Sequence, residues 1–251
     1  MRKQLHSSRV PNRWSVQILG LAGLGLLIVG VNQLAVSRPV AHSLNFYDKF
    51  ASGNLDKWQL PHAEDWSILA EPGGEHYLHM NRNREPGVPR RPLQFALIKG
   101  VNVGSFDFQA RLRREGRSMM VVFNYVDTLH FYYTHLSMDT GATQPVHNGI
   151  FIVNGEPRKR VAGIDAAAAL PDKNWHQVRI TRHARDGSIK VFMDGSDQPL
   201  FSLLDSTFTC GQVGIGSFDE TGDFEDVSLK SADAGCQPHA PASPAKAASL
   251  R

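Results

Sequence analysis

The stretch Met119–Leu136, MMVVFNYVDTLHFYYTHL, decides the reading of the fold. Its first half, Met119 to Tyr125, is apolar and β-branched. Its second half, Leu129 to Leu136, is rich in aromatic rings, and Val126-Asp127-Thr128 supplies a corner, so the stretch predicts a β-hairpin. Successive side chains of a strand point to opposite faces. Counted through the corner, Val121, Phe123, Tyr125, Phe131 and Tyr133 make an apolar face that would cover a core. Asn124, His130, Tyr132 and Thr134 make a polar-aromatic face, which predicts a ligand platform. Asn148 and Asn154 share one parity in and beside the next strand, GIFIVNG, and extend that platform.

Outward from this hairpin the chain reads as strands and turns from residue 44 to residue 230. LNFYDKF, DWSILA, HYLHM, LQFALIKG and SFDFQARLRR precede it. WHQVRITRH, IKVFMDG, PLFSLLD, GQVGIGSF and FEDVSLK follow, with Asp186-Gly187 turning the hairpin between the first two. About twelve short strands at roughly ten-residue spacing, without helical crossovers, predict an all-β antiparallel sandwich. Alanine-rich Ile164 to Leu170 is the one candidate for a helical turn. NRNREPGVPRRP, residues 81–92, reads as a long surface loop.

Both ends differ from this body. Arg2, Lys3, Arg9 and Arg13 precede SVQILGLAGLGLLIVGVNQLAV, and no charge falls between Arg13 and Arg38. A basic segment followed by an apolar one predicts export, either as a cleaved signal or as a membrane-anchor helix, over residues 1–43. Residues 231–251 lack aromatic rings and apolar periodicity and predict a disordered tail. Without the four basic residues of the leader, 23 Lys and Arg face 24 Asp and Glu. That balance leaves no basic field for nucleic acid, and any membrane contact would run through the N-terminal segment. Cys210 and Cys236 in an exported chain read either as a disulfide or as two free thiols.

WHQVRITRHARDGSIKVFMDG resembles the laminin-G-like, concanavalin-A-like jelly rolls through Trp175, His176, Val178, Gly187, Asp194 and Gly195. The opening YDKFASGNLDKW and the closing GQVGIGSFDETGDFEDVSLK are similar to the ends of the 3-keto-disaccharide hydrolase-like group of that superfamily. The resemblance implies a jelly roll, exported to the periplasm or beyond, whose concave sheet binds a polysaccharide or oligosaccharide. It also implies a structural calcium ion between the first and last strands, with Asp48 and Asp226 as ligands. The Glu-x-Asp-x-x-Glu strand of the laminarinase-type relatives is missing. The acidic cluster Asp219, Glu220, Asp223, Glu225 and Asp226 has other spacing and reads as a turn, so no carboxylate pair is visible for glycoside hydrolysis.

Three functions follow as expectations: carbohydrate recognition, a hydrolase of the keto-disaccharide type drawing acid or base from His130, Tyr132 or His135, or a structural domain with an unused platform. Two further groups carry chemistry. His130, His135 and His147 lie near one sheet edge, but the opposite parity of His130 and His135 argues against a shared zinc site. Arg84, Arg90, Arg91 and Arg158 sit in loops and suit bidentate capture of an acidic sugar. His176 belongs to the strand pattern and reads as packing.

Overall fold

The computed structural model describes residues 42–239 and forms two antiparallel sheets from fifteen strands. One sheet comprises β1 (His42–Asp48), β3 (Trp66–Ala70), β4 (His76–Met80), β6 (Phe106–Arg114), β11 (His176–His183), β12 (Ser188–Met193), β13 (Phe201–Leu204) and β15 (Gly222–Ala234). Its order is β13-β12-β11-β6-β15-β4-β3, with β1 also paired to β15. The other sheet comprises β2 (Trp58–Gln59), β5 (Gln94–Ile98), β7 (Ser118–Asp127), β8 (His130–Ser137), β9 (Gly149–Asn154), β10 (Lys159–Ala162) and β14 (Gln212–Ser217), in the order β10-β9-β8-β7-β14-β5-β2.

The two sheets bury themselves differently, and the sequence explains why. In β6 the alternation is strict: Phe106, Phe108, Ala110 and Leu112 are buried, while Asp107, Gln109, Arg111 and Arg113 between them are partly exposed. Such a strand covers a core with one face and meets water with the other. Strands β5 and β7 run without alternation, QFALI and SMMVVFN, and every one of these residues is buried. A continuous apolar run marks a strand covered on both sides. The main core between the sheets takes Phe123, Tyr132, Phe108, Val178, Ile180 and Phe224. A second apolar cluster lies on the far side of the seven-stranded sheet, built from Phe95, Met120, Val122, Phe131, Tyr133, Phe151 and Phe218.

The second cluster overturns the face assignment of the opening hairpin. The strands pair Phe123 with Tyr132 and Val121 with Thr134, but Asp127 with His130. The register shifts between these pairs, so the corner is shorter than Val126-Asp127-Thr128 and a bulge precedes it. Asn124 sits in the bulge at φ 44°, in the left-handed region that asparagine tolerates. Gly211 lies so close that a Cβ there would stand 2.4 Å from the Asn124 carbonyl carbon. A slip of one residue moves every side chain to the other face. Tyr132 and Thr134 therefore point into the domain, and Phe131 and Tyr133 point away from it.

Other boundaries shift as well. Strand β15 continues through Ala234, with His42 paired to Ala234 and Leu44 to Ser231, so residues 231–234 belong to the sheet instead of a disordered tail. Cys236 is tied to Cys210 by a disulfide. Residues 164–170 form turns and irregular chain, held by Arg114, whose guanidinium donates to the carbonyls of Leu170 and Pro171. Among the described residues the one turn of 3-10 helix lies at Ala63–Asp65. The expected leader helix and residues 240–251 lie outside the described residues. Among the described residues no helix is long and apolar enough to cross a membrane.

Candidate functional site

The platform expected on the hairpin is closed. Tyr132 is fully buried, stacks on Phe123 at 5.6 Å, and donates its hydroxyl to Asp205; burial, and then that hydrogen bond, push the phenol up to about 12. Thr134 is buried and donates to the Gly149 carbonyl. Asn124 donates to the Val103 carbonyl, and Asn148 accepts from the Ser137 amide and donates to the Ala167 carbonyl. Asn154 is exposed, opposite His130 on the neighbouring strand, and His130 itself pairs with Asp127 at 2.8 Å. These residues brace loops and do not form one surface.

The expected arginine clamp acts as a cover. Arg158 donates to the Tyr133 hydroxyl at 3.0 Å, to His135 Nδ1 at 3.2 Å and to the Val146 carbonyl at 2.9 Å. Its guanidinium lies over Phe151 at 4.6 Å and Phe218 at 4.3 Å. The Arg158 amide donates to the Arg90 carbonyl, and the Arg90 guanidinium lies over Phe218 as well. Arg84 is held by Asp65 and Glu64, and Arg91 donates to the Pro89 carbonyl. The loop at residues 81–92 thus lies against the seven-stranded sheet, so the face on which the resemblance places a sugar is already filled.

His135 and His147 meet under this cover, ring to ring at 5.8 Å, while His130 lies elsewhere. Among the described residues no three His, Cys, Asp or Glu side chains are grouped to hold a metal ion. Because Arg158 donates to Nδ1, the His135 proton sits on Nε2 and is donated to the Ser118 hydroxyl at 2.7 Å. Burial, and then the charges of Arg158, His147 and Arg90, hold His135 well below the ordinary 6.5. The sign follows from linkage: below 6.5 the unfolded chain takes up a proton that the folded state refuses, so stability is full above 6.5 and falls on acidification. We expect stability to fall over the acid window below pH ~6.5, by at most ~1.4 kcal/mol per pH unit from this one group. Urea titrations of the protein and of His135→Asn across that window check it; equal slopes would refute the assignment.

A calcium ion between the first and last strands does not fit Asp48 and Asp226. Asp48 accepts from the Trp58 indole and the Phe50 amide, both at 2.9 Å, and Asp226 faces the other way to accept from the Tyr47 hydroxyl. A lysine ammonium stands 3.7 Å from each carboxylate, Lys57 beside Asp48 and Lys49 beside Asp226. The positive charge a cation would bring is already there.

A hollow lies on the outer face of the eight-stranded sheet. It encloses about 530 Å³ and is bordered by Trp175, Arg111, Arg113, Glu71, His76 and Glu225. Trp175 is half-buried, with the Arg113 guanidinium 4.5 Å and the Arg111 guanidinium 5.5 Å from its ring centre. Both arginines project from one face of β6, so they support the indole from one side. Tyr77 meets the ring edge at 6.0 Å. Arg113 pairs with Asp223, which also binds His79 at 2.7 Å, and Arg111 pairs with Glu225. Arg113 is also 2.9 Å from Glu71 Oε1, yet that oxygen is buried without an aligned hydrogen bond. We read this contact as charge attraction that leaves a lone pair free. Burial pushes the Glu225 carboxyl up against the pull of Arg111.

The acidic cluster read from sequence as a turn is thus partly a strand: Asp223 and Glu225 stand on β15, beside Arg113 and Arg111 of β6. Trp175, which the sequence presents as part of the strand pattern, borders this hollow. It shares outward parity with Gln177 and Arg179, opposite to Val178 and Ile180, and that signal was available.

These two sheets make the fold an antiparallel jelly-roll sandwich. The solved structures it is similar to include the carbohydrate binding module CBM66 from Bacillus subtilis, at 16% identity and TM-score 0.50, covering 71% of this chain and 98% of that one. The winged bean acidic lectin complexed with methyl-α-D-galactose is similar at 11% identity and TM-score 0.50, covering 76% and 99%. The GH43 protein BlXynB from Bacillus licheniformis is similar at 13% identity and TM-score 0.52, covering 74% of this chain and 39% of that one. No protein-family model matches the sequence, and no curated protein matches it.

Proposed function

We propose that this protein is an exported carbohydrate-recognition jelly roll that seats a sugar ring on Trp175. The observation that carries the reading is the half-buried indole, backed by two guanidiniums, at the mouth of a hollow lined with carboxylates, guanidiniums and His76. An aromatic face takes the C–H side of a pyranose, and charged groups take its hydroxyls with strengthened hydrogen bonds. The likeness in fold to a carbohydrate binding module and a lectin supports the class. The basic and apolar leader and the Cys210–Cys236 disulfide support a periplasmic or extracellular location, with the N-terminal segment as an anchor if uncleaved.

A panel of immobilised oligosaccharides tests the reading. The protein is expected to retain a subset, and Trp175→Ala to lose about tenfold in affinity, ~1.4 kcal/mol, while still unfolding in one cooperative transition at a lowered midpoint. Unchanged retention in that variant sinks the proposal. The same panel separates two other readings. Glu71 and the raised Glu225 carboxyl in one hollow favour a hydrolase of the 3-keto-disaccharide type, which would release product. His135 and Tyr132 are sealed and would play no part in it. Neither retention nor release would leave a structural or adhesion domain.

A further inference from the structure

The outer face of the eight-stranded sheet does not end at Trp175. Its ladder sets Gln177, Arg111 and Glu225 in one row. Phe192, Arg179, Gln109 and Ser228 make the next, and Lys190, Thr181, Asp107 and Lys230 the one beyond. From Arg113 to Asp107 is six residues of one strand, or ~20 Å, a length that accommodates several sugar rings. At the far rows a second hollow of about 740 Å³ opens, bordered by Asn45, Asp107, Arg179, Thr181, His183 and Lys230.

Charge separates the two ends. The Trp175 hollow sets Glu71, Glu75, Glu225 and Asp226 against Arg111, Arg113 and Lys49. The far rows set Arg179, Lys190, Lys230 and His183 against Asp107 alone. Arg179 takes up Asp107, with Nε donating to Oδ2 at 2.9 Å. Lys190 and Lys230 then have no carboxylate within 4 Å among the described residues. Exposed lysines are commonly no more than a solvated face. Here their row lies next to the one that carries Gln109, which accepts from Gln177, and the half-buried Phe192 under Arg179.

We infer that the second hollow is a subsite for the negative groups of an acidic glycan, carboxylates of uronic acid units or sulfate esters, whose neighbouring ring occupies the Trp175 hollow. This rests on the carbohydrate reading above and narrows its ligand to an anionic polysaccharide strand lying along β6. Lys190 and Lys230 meet the charge, Arg179 and Gln109 bond the hydroxyls between, and Trp175 holds a ring at the end.

Electrophoresis through gels carrying polymer tests this with paired probes: polygalacturonate against its methyl ester, and dextran sulfate against dextran. The charged member of a pair is expected to retard the protein more than its neutral partner. Lys190→Gln/Lys230→Gln is expected to lose on the order of fivefold to tenfold in affinity for it, as is the parent protein when salt rises from ~50 to ~200 mM. Retardation by polygalacturonate alone assigns uronates, and by dextran sulfate alone assigns sulfate esters. No preference for either charged polymer, or an unchanged double lysine variant, overturns the subsite. Equal retardation by single-stranded DNA reveals a plain charge field and also overturns it. If the lysine variant loses affinity while Trp175→Ala does not, the subsite stands and the Trp175 reading falls.

Discussion

Arg158→Ala is expected to destabilise the domain by about 3 kcal/mol, lowering the midpoint of thermal unfolding by roughly 6–12 °C. The Tyr133 hydroxyl and His135 Nδ1 are both fully buried, and Arg158 is the donor to each. A buried acceptor that loses its donor costs ~1–3 kcal/mol. The guanidinium also covers Phe151 and Phe218, two contacts worth ~0.5–1 kcal/mol each. Arg158 is itself only partly buried, so water will reach some of the vacated space, which argues for the lower part of the summed range. Arg158→Lys should recover less than half of the loss, because an ammonium cannot lie flat on two rings while donating to three acceptors. Thermal melts followed by near-ultraviolet circular dichroism report directly on the Tyr133 and Phe218 cluster. A midpoint unchanged in Arg158→Ala would mean that the loop at residues 81–92 seals the sheet without it.

That cover also shows what could be read before the structure. The order of the longer strands followed from alternation and turn residues, and β6, β11 and β12 lie where SFDFQARLRR, WHQVRITRH and IKVFMDG put them, but about twelve strands were expected against fifteen found, with the short β2 and β10 unread. The sandwich was legible because one-sided burial leaves a period of two. The site was not, for two physical reasons. A bulge is one extra residue with no signature of its own, and the one at Asn124 exchanged the two faces of β8. The covering of the seven-stranded sheet did leave a signature, which was misread. MMVVF and QFALI do not alternate, and a run without alternation has no solvent face on which a platform could stand. Apolar side chains on both sides require something to cover the second side, and the arginines of two loops supply it. Guanidiniums suit this role because they stack on rings while their charge is spread over a plane. The same property makes an arginine-rich loop look like a ligand clamp in sequence.

The displaced site follows from the same arrangement. With one outer face filled, the other presents polar groups in rows, and it is the face where alternation is strict. Gln109, Arg111 and Arg113 of β6 are outward because Phe108, Ala110 and Leu112 are inward. Asp223 and Glu225 join them because β15 runs antiparallel beside β6 in a register that opposes Arg113 to Asp223 and Arg111 to Glu225. The positive φ of Asp226, 51°, lets β15 bulge and turn that carboxylate outward to Tyr47. A run of acidic residues interrupted by Phe224 and Val227 resembles a turn when counted as charge, and a strand when counted as alternation.

Replacing Cys210 and Cys236 together by Ser is expected to cost about 3.5 kcal/mol, the larger of the two effects argued here. The bond closes a loop with a sequence separation of 26, and in the chain-entropy description the stabilisation grows with the logarithm of that length. The loop contains all of β14 and all of β15, which are inner strands of the two sheets. Cys236 lies two residues beyond Ala234, whose strand pairs with β1, so the cross-link anchors the closing edge where the first and last strands meet. The Gly235 amide donates to the Asn102 carbonyl, and Asp233 accepts from the Gly104 and Ser105 amides, so the segment is also held by local hydrogen bonds. Those bonds will keep some order after the sulfur bridge is gone, and the loss should therefore fall mainly on global unfolding, with little change in the Trp175 hollow. Urea unfolding of the oxidised protein, the dithiothreitol-reduced protein and the double Ser variant provides the measurement. The last two are expected to share one midpoint, below that of the first. Coincidence of all three curves would show that the unfolded chain is as free with the bridge as without it, and that β1–β15 pairing and those local hydrogen bonds hold the tail.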